Sequence, residues 1–497
     1  MKLPGAIFVF ALILAHIVAW GAVACRVLGA RYRDPLAHAG VIIGLGTIFL
    51  GLEIIALGHA HLLQQSAMFA SAAACAVALA WLWRGSLRTG DSGHQTLPRA
   101  IGDEVRAWPM IAGSCALFVL LIFISGTRPV LYADEKEYHW PSPMLWAHAH
   151  GWEPSPYRHS NGPMLMHALY TVSAIWTSST AAHWTHTMML VCLLLSAAAL
   201  ARQAGAPGAW AVAACLSIPC IVTQSSISYT DTAAASLLLA GYAALLCESP
   251  ERETVLKVKK NSYTQGIVAG VLFAGAVSIK PFTVLGIVGA GIAALGAVNS
   301  RPSKVQKRFA HLALIAGPAL LAIMLWSLRT YSLIGKWWEV QGIWVHSALE
   351  PAWIHGWAVG RVPQVADLVK LPFIFLEAPL FGQREPLGGR TGPLLLAGLP
   401  VLILYLWRKR SGLPKPILTL CLGAFFYFAL LSPFAVKTRF HDFTWAVVGV
   451  LIVVAWSSLT ASLKRRAWAE GFFATMVWAG MVDSSRILIR GLWTHFG

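Results

Sequence analysis

The chain has 497 residues, 57% of them hydrophobic and only 12% charged, with a formal net charge of +17. A soluble domain carries roughly twice that charged share, so an ordinary soluble fold is excluded. No stretch has the length and polarity of a separate soluble domain, and the positive charge lies in short connectors, which excludes a nucleic-acid-binding surface.

Apolar runs long enough to cross a hydrocarbon layer of roughly 30 Å recur from end to end. The first, 3–29, lacks a small-residue cleavage signature and reads as a retained helix, not a signal peptide. Further spans are predicted at 36–58, 64–83, 107–127, 183–200, 207–224, 230–247, 264–280, 281–299, 309–328, 391–407, 416–436 and 440–463, which makes thirteen. The run 467–482 is a fourteenth span or an in-plane helix. The fold class is therefore an all-α polytopic bundle, divided into extra N-terminal helices (1–106), a core (107–463) and an apolar, basic tail (464–497).

The basic residues sort onto two faces. Arg26, Arg31, Arg33, Arg84, Arg88, Arg99, Arg106 and Arg202 share one face with the clusters at 252–260, 301–308, 408–415 and 464–466. By the positive-inside rule that face is cytoplasmic. The opposite face receives two long segments, 128–182 and 329–390, and most of the carboxylates. Long irregular segments outside the membrane commonly carry function. Residues 162–178 are apolar enough to suggest a crossing. A crossing there would turn every later basic cluster outward, so the segment reads as an interfacial helix or a dip that returns.

The eight cysteines form no CxxC pair and read as packing residues, as do the GxxxG pairs Gly40/Gly44 and Gly266/Gly270. More informative is the acidic start of the first outer segment: Asp134, Glu135 and Glu137 stand beside Tyr138 and His139 at a membrane boundary. Pro141 and Pro143 then open a short in-plane helix toward His150. A solvated acidic loop is one reading; a carboxylate acting as general base or metal ligand at the membrane surface is the other. Asp231, Lys280, Arg329 and Arg439 all fall at the outer ends of later helices. Singly each is a capping or snorkelling residue. Together with Asp134 they form a ring of cations and carboxylates suited to a lipid phosphate. The histidines of this face, His148/His150 and His183/His186 among them, have loose spacing and read as packing or interfacial residues; no metal-ligand set is defined.

The acidic residue four before a Tyr–His pair in the first large outer loop (Asp134, Tyr138, His139) resembles the GT-C-fold integral membrane glycosyltransferases. These include the protein mannosyltransferases and the lipid A aminoarabinose transferase type. Gly162–Pro163, Tyr229–Thr230–Asp231, Lys280–Pro281, Trp326 to Arg329 and Thr438–Arg439–Phe440 are similar to later pieces of the same group, over about 110–460. Two departures stand out: three extra helices (within 1–106) precede the helix that leads into the motif-bearing loop, and no soluble C-terminal domain follows it.

The resemblance implies an inverting transfer of a hexosyl or pentosyl unit from a polyprenyl-phosphate donor to a lipid, glycan or protein acceptor outside the cytoplasm, as at a bacterial inner membrane. Asp134 would be the base, with Glu135 and Asp231 as further catalytic carboxylates. Tyr138, His139, Arg158, His159, Lys280, Arg329 and Arg439 would bind substrate, with or without a divalent cation, and no nucleic acid is a partner. The rival class is a multi-pass transporter or flippase. It would place ionisable residues near the midplane, whereas among the carboxylates only Glu53 lies within a span, and near its outer end.

Overall fold

The computed structural model describes residues 3–87, 96–132, 134–155, 161–247, 255–296, 303–335, 337, 391–410, 412–431, 438–461, 463 and 466–496. Among them the chain is an all-α polytopic bundle. Helices α1 (Leu3–Leu28), α2 (Pro35–His59), α3 (Gln65–Leu87) and α5 (Pro109–Ser125) match the first four predicted spans. Then come α6 (Pro141–His148), α7 (Leu165–Ile175), α8 (Ser179–Gln203), α9 (Gly208–Leu216), α10 (Pro219–Ser225), α11 (Asp231–Leu246) and α12 (Val255–Ile279). The last are α13 (Val284–Gly296), α14 (Ser303–Ile334), α15 (Pro393–Arg408), α16 (Lys415–Leu431), α17 (Asp442–Thr460) and α18 (Arg466–Phe496).

Among the described residues six helices are long and apolar enough to cross a membrane unaided, or up to eight if each of two bent pairs is one span; the apolar stretches of the others run 10–17 residues. The thirteen predicted runs are thus all helical, but several are shorter than a full crossing. The tail helix α18 is among the six, over Arg466–Arg490.

Burial separates core from periphery. Helix α8 has 89% of its best apolar window buried, whereas α14 buries only 17% of its own. A helix buried on every side lies at the centre, its polar side chains included, and α8 is packed against α2, α9, α11 and α17 among others. The outward row Leu320, Leu321, Met324, Leu325 and Leu328 on α14 is left for lipid. Close crossings rest on glycine. A Cβ on Gly270 of α12 would meet the Leu314 carbonyl of α14, and one on Gly46 of α2 would meet the Ile17 carbonyl of α1. Small residues at such points let backbones touch where no hydrophobic effect drives association.

Three elements differ from the sequence expectation. The run 207–224 is not one helix: Pro219 opens α10, and α9 and α10 are bent by 78°. A further helix, α4 (Leu97–Ala107), precedes Pro109 and meets α5 at 119°. It is polar on one side and tied to the inner end, where Glu104 accepts from the Ala209 amide at 2.9 Å and Arg202 reaches Asp34 at 3.0 Å. Finally α7, within 162–178, is short as expected but is packed inside the bundle and does not lie on its surface. Every residue from Leu165 to Ala174 is buried, against α2, α6, α8 and α12. At 1.5 Å per residue its eleven residues extend only about 16 Å, too short to cross.

Candidate active site

The first outer segment enters through a π-type turn, Glu135–His139, in which the Trp140 amide donates to the Glu135 carbonyl at 3.0 Å. This wider turn sets a phase: Asp134, Glu135, Tyr138 and His139 face inward, Lys136 and Glu137 outward. Turns of this kind recur at functional sites. Pro141 then starts α6, since a proline at the first helical position costs no hydrogen bond.

Glu135 and Asp134 part company at once. Glu135 is fully buried. Its Oε1 accepts from the Ser228 amide at 2.8 Å and hydroxyl at 3.0 Å, and lies 2.9 Å from His183 Nε2. His183 Nδ1 lies 2.9 Å from the Gly126 carbonyl, which can only accept. The ring therefore donates from Nδ1 to that carbonyl, and Nε2 stands close to Glu135. Burial alone would raise the Glu135 pKa; His183, the Ser228 amide and Arg128 outweigh it and hold the carboxyl at about 2. Glu135, expected from sequence as a catalytic carboxylate, stands apart from Asp134, and its carboxylate ties the segment that bears Asp134 to the 226–228 turn.

Asp134 instead joins a buried ion cluster. Its Oδ2 lies 2.8 Å from an Arg439 terminal nitrogen, and Asp231 Oδ1 lies 3.3 Å from Lys280 Nζ. All four residues are less than 10% exposed. Each corner is placed by a local break. Asp231 is the first residue of α11, at the positive end of that helix. Lys280 is freed from α12 because Pro281 cannot continue it. Arg439 lies in the 3-10 turn Thr438–His441 ahead of α17. Burial alone would lower the Arg439 pKa, but Asp231 and then Asp134 outweigh it and raise it. Arg439 thus feels both carboxylates, and the two pairs form one cluster.

The walls are aromatic. The Arg439 guanidinium lies 5.1 Å from the Tyr229 ring centre and 5.2 Å from that of Phe440, and Lys280 Nζ lies 5.7 Å from Phe440. Tyr138 is buried beside Asp134, which together with burial raises its hydroxyl pKa. His139 Nδ1 and His167 Nε2 are 2.7 Å apart, so only one of the two nitrogens carries the shared proton. Burial, His167, Lys280 and Arg439 all press the His139 pKa well down. His167 on α7 is one of the outer-face histidines read from sequence as packing or interfacial residues, and the structure sets it against His139.

Arg329 does not join the cluster. It is held between Trp152 and Trp326, 5.1 Å and 5.2 Å from their ring centres, and points at the carbonyls of Asn161 and Gly162 at 3.4 Å and 3.5 Å. It pins the return of the first outer segment. Arg158 and His159 lie outside the described residues. Nor does the cluster suit a divalent cation: each carboxylate already faces a cationic side chain, and no described group of three His, Cys, Asp or Glu could hold a metal.

No protein-family model and no curated protein matches the sequence. Solved structures do resemble the chain. The oligosaccharyltransferase of Archaeoglobus fulgidus in its apo form shares 12% identity and a TM-score of 0.49, over 77% of this chain and 56% of that one. ArnT from Cupriavidus metallidurans bound to undecaprenyl phosphate shares 14% identity and a TM-score of 0.46, over 78% and 76%. The same protein in its apo state gives 15% identity and 0.48, over 73% and 62%. The chain spans little more than half the length of the archaeal enzyme. These are likenesses of arrangement at low identity, and they carry no argument about activity.

Proposed function

We propose that this chain is a membrane glycosyltransferase. It moves a sugar from a polyprenyl-phosphate donor to an acceptor hydroxyl on the non-cytoplasmic face of a bacterial inner membrane, with inversion. The observation that carries the reading is the buried cluster of Asp134–Arg439 and Asp231–Lys280, walled by Tyr229 and Phe440. Burying four charges is costly, so such pairs are weak devices for stability and good candidates for function.

In the reaction the acceptor oxygen attacks the anomeric carbon of the donor. Asp134 takes the acceptor proton as the new glycosidic bond forms. The bond from carbon to phosphate oxygen breaks, and its electron pair leaves on the phosphate. Lys280 and Arg439 hold that developing charge in surroundings of low dielectric, where cations are worth more than in water. Their carboxylate partners keep both cations in place before the donor arrives. Asp231 positions Lys280, and Glu135 positions Asp134 by fixing the turn that carries it. A phosphate is a good leaving group, so no general acid is required. The extra helices 1–106 and the tail 464–497 flank the catalytic core 107–463 in this reading.

The test is a transfer assay in membranes with a panel of polyprenyl-phosphate sugars, comparing the wild type with Asp134→Asn. Loss of a general base should lower transfer by about 10²-fold or more. Normal expression with no transfer of any sugar by the wild type would refute the proposal.

A further inference from the structure

A second site lies beside the first outer segment. The α2–α3 connection, the end of α6 and the end of α7 enclose a cleft of about 340 Å³, lined among others by Gln64, Gln65, His148, His150, Ile175 and Thr177. That volume lies within the range of ligand pockets, roughly 300–1,000 Å³. The cleft is held by reciprocal bonds: the Leu63 amide donates to the His150 carbonyl at 3.0 Å, and His150 Nδ1 donates to the Leu63 carbonyl at 3.0 Å. Trp152 adds a bond from Nε1 to the Ile55 carbonyl at 2.7 Å. Three non-glycine residues around it adopt the left-handed backbone region: His61 at φ 55°, His150 at φ 53° and Thr177 at φ 54°. Each such residue costs on the order of 1–3 kcal/mol, and such strain gathers where a site is over-determined by its surroundings.

The lining states what fits. None of the described lining residues is Asp, Glu, Lys or Arg, so a phosphate, carboxylate or ammonium group would find no counter-ion. Gln64, Gln65 and Thr177 each offer donor and acceptor together, and His150, donating through Nδ1, offers Nε2 as an acceptor. Leu63, Ala174 and Ile175 supply an apolar floor. A group that is uncharged, has hydroxyls that both donate and accept, and presents C–H faces matches all of these. Helix α6, about 12 Å long by its eight residues, separates the cleft from the turn that bears Asp134.

We infer that this cleft binds a neutral sugar residue of the acceptor, away from the reacting hydroxyl, and that the α2–α3 connection with Gln65 at the start of α3 supplies one of its walls. Only the word acceptor rests on the transferase reading; the binding does not.

The full chain in nanodiscs is photolabelled with an alkyl β-glucoside carrying a diazirine on its sugar. A parallel sample receives the same alkyl chain with the diazirine and no sugar. Labelled peptides should contain 147–150 and 174–177, and excess octyl glucoside should compete. The double variant Gln64→Leu/Gln65→Leu changes two exposed side chains and should lower labelling about tenfold, as the loss of two hydrogen bonds implies. Equal labelling by the sugar-free probe, labelling unchanged in the double variant, or no labelling at these peptides would each overturn the inference. Asp134→Asn should label as the wild type does. A failed label therefore leaves the transferase proposal standing, and a failed transfer leaves the cleft standing.

Discussion

The two ends of the bundle use the same chemistry to different effect. At the end that carries the basic clusters, two ion pairs are wet, Arg106–Asp103 with side-chain exposures of 75% and 45% and Arg466–Glu470 of 59% and 33%, while Arg202–Asp34 is partly covered at 25% and 15%. At the outer end, Asp134–Arg439 and Asp231–Lys280 are at or below 10% on every side chain. Wet pairs are worth about 0–1 kcal/mol each, whereas breaking a buried pair costs about 3–5 kcal/mol. The exposed pairs therefore add little to the fold, and the buried pairs are costly features that stability alone does not explain.

The contrast can be sharpened by substitution, and the largest effect belongs to Arg439. Arg439→Gln leaves the Asp134 carboxylate buried without its partner, so a loss of about 3–5 kcal/mol is expected, read as thermal stability in detergent. Lys280→Gln should show the same kind of loss, with a rise in donor KM or a fall in kcat measured with polyprenyl-phosphate sugar. Unchanged donor kinetics in both would place the phosphate elsewhere. Arg329→Gln is the control at the same end. It should unsettle the return of the first outer segment and leave donor KM within about threefold, because its contacts are carbonyls and tryptophans and not the Asp134 cluster.

A pH series separates Glu135 from Asp134. The folded-state pKa of Glu135 is lowered from 4.5 to about 2. A lowered carboxyl contributes stability that is fully present above the unfolded value and is lost as pH falls through the folded one. The wild type should thus lose stability between pH 4.5 and 2, and Glu135→Gln should be less stable at neutral pH with a flatter acid limb. Melting temperatures across that window check it; parallel curves for the two proteins would contradict the buried pair. The smallest effect is expected at the inner end. Asp103→Asn should change stability by less than about 1 kcal/mol and leave transfer untouched.

Much of the fold was legible because its determinants are local. Apolar length gives the helices, and the charge of short connectors gives their direction. That sorting already set Asp134, Asp231, Lys280 and Arg439 at one end, and the structure brings those four together. What stayed hidden depends on tertiary partners. Asp134 and Glu135 are neighbours of the same kind in one motif, and only the phase of the π-type turn sends one to Arg439 and the other to His183 and Ser228. The bend before Pro219 was masked by an apolar run that reads as continuous. Helix α7 looked interfacial because its burial is supplied by α2, α6, α8 and α12, and no local pattern records that. Arg329 shares an end with the cluster, and charge sorting cannot tell that two tryptophans hold it apart.

The central claim is that Asp134 serves as the base of a transfer on the non-cytoplasmic face. It is tested most directly by following labelled sugar from a polyprenyl-phosphate donor to acceptor in sealed vesicles of the two opposite orientations. The wild type should transfer only where the outer end of the bundle meets the added acceptor, and Asp134→Asn, which also breaks the buried pair with Arg439, should lose about 10²-fold or more of transfer per folded molecule. An Asn variant that keeps more than about a tenth of wild-type transfer, or transfer confined to the cytoplasmic face, would contradict the account.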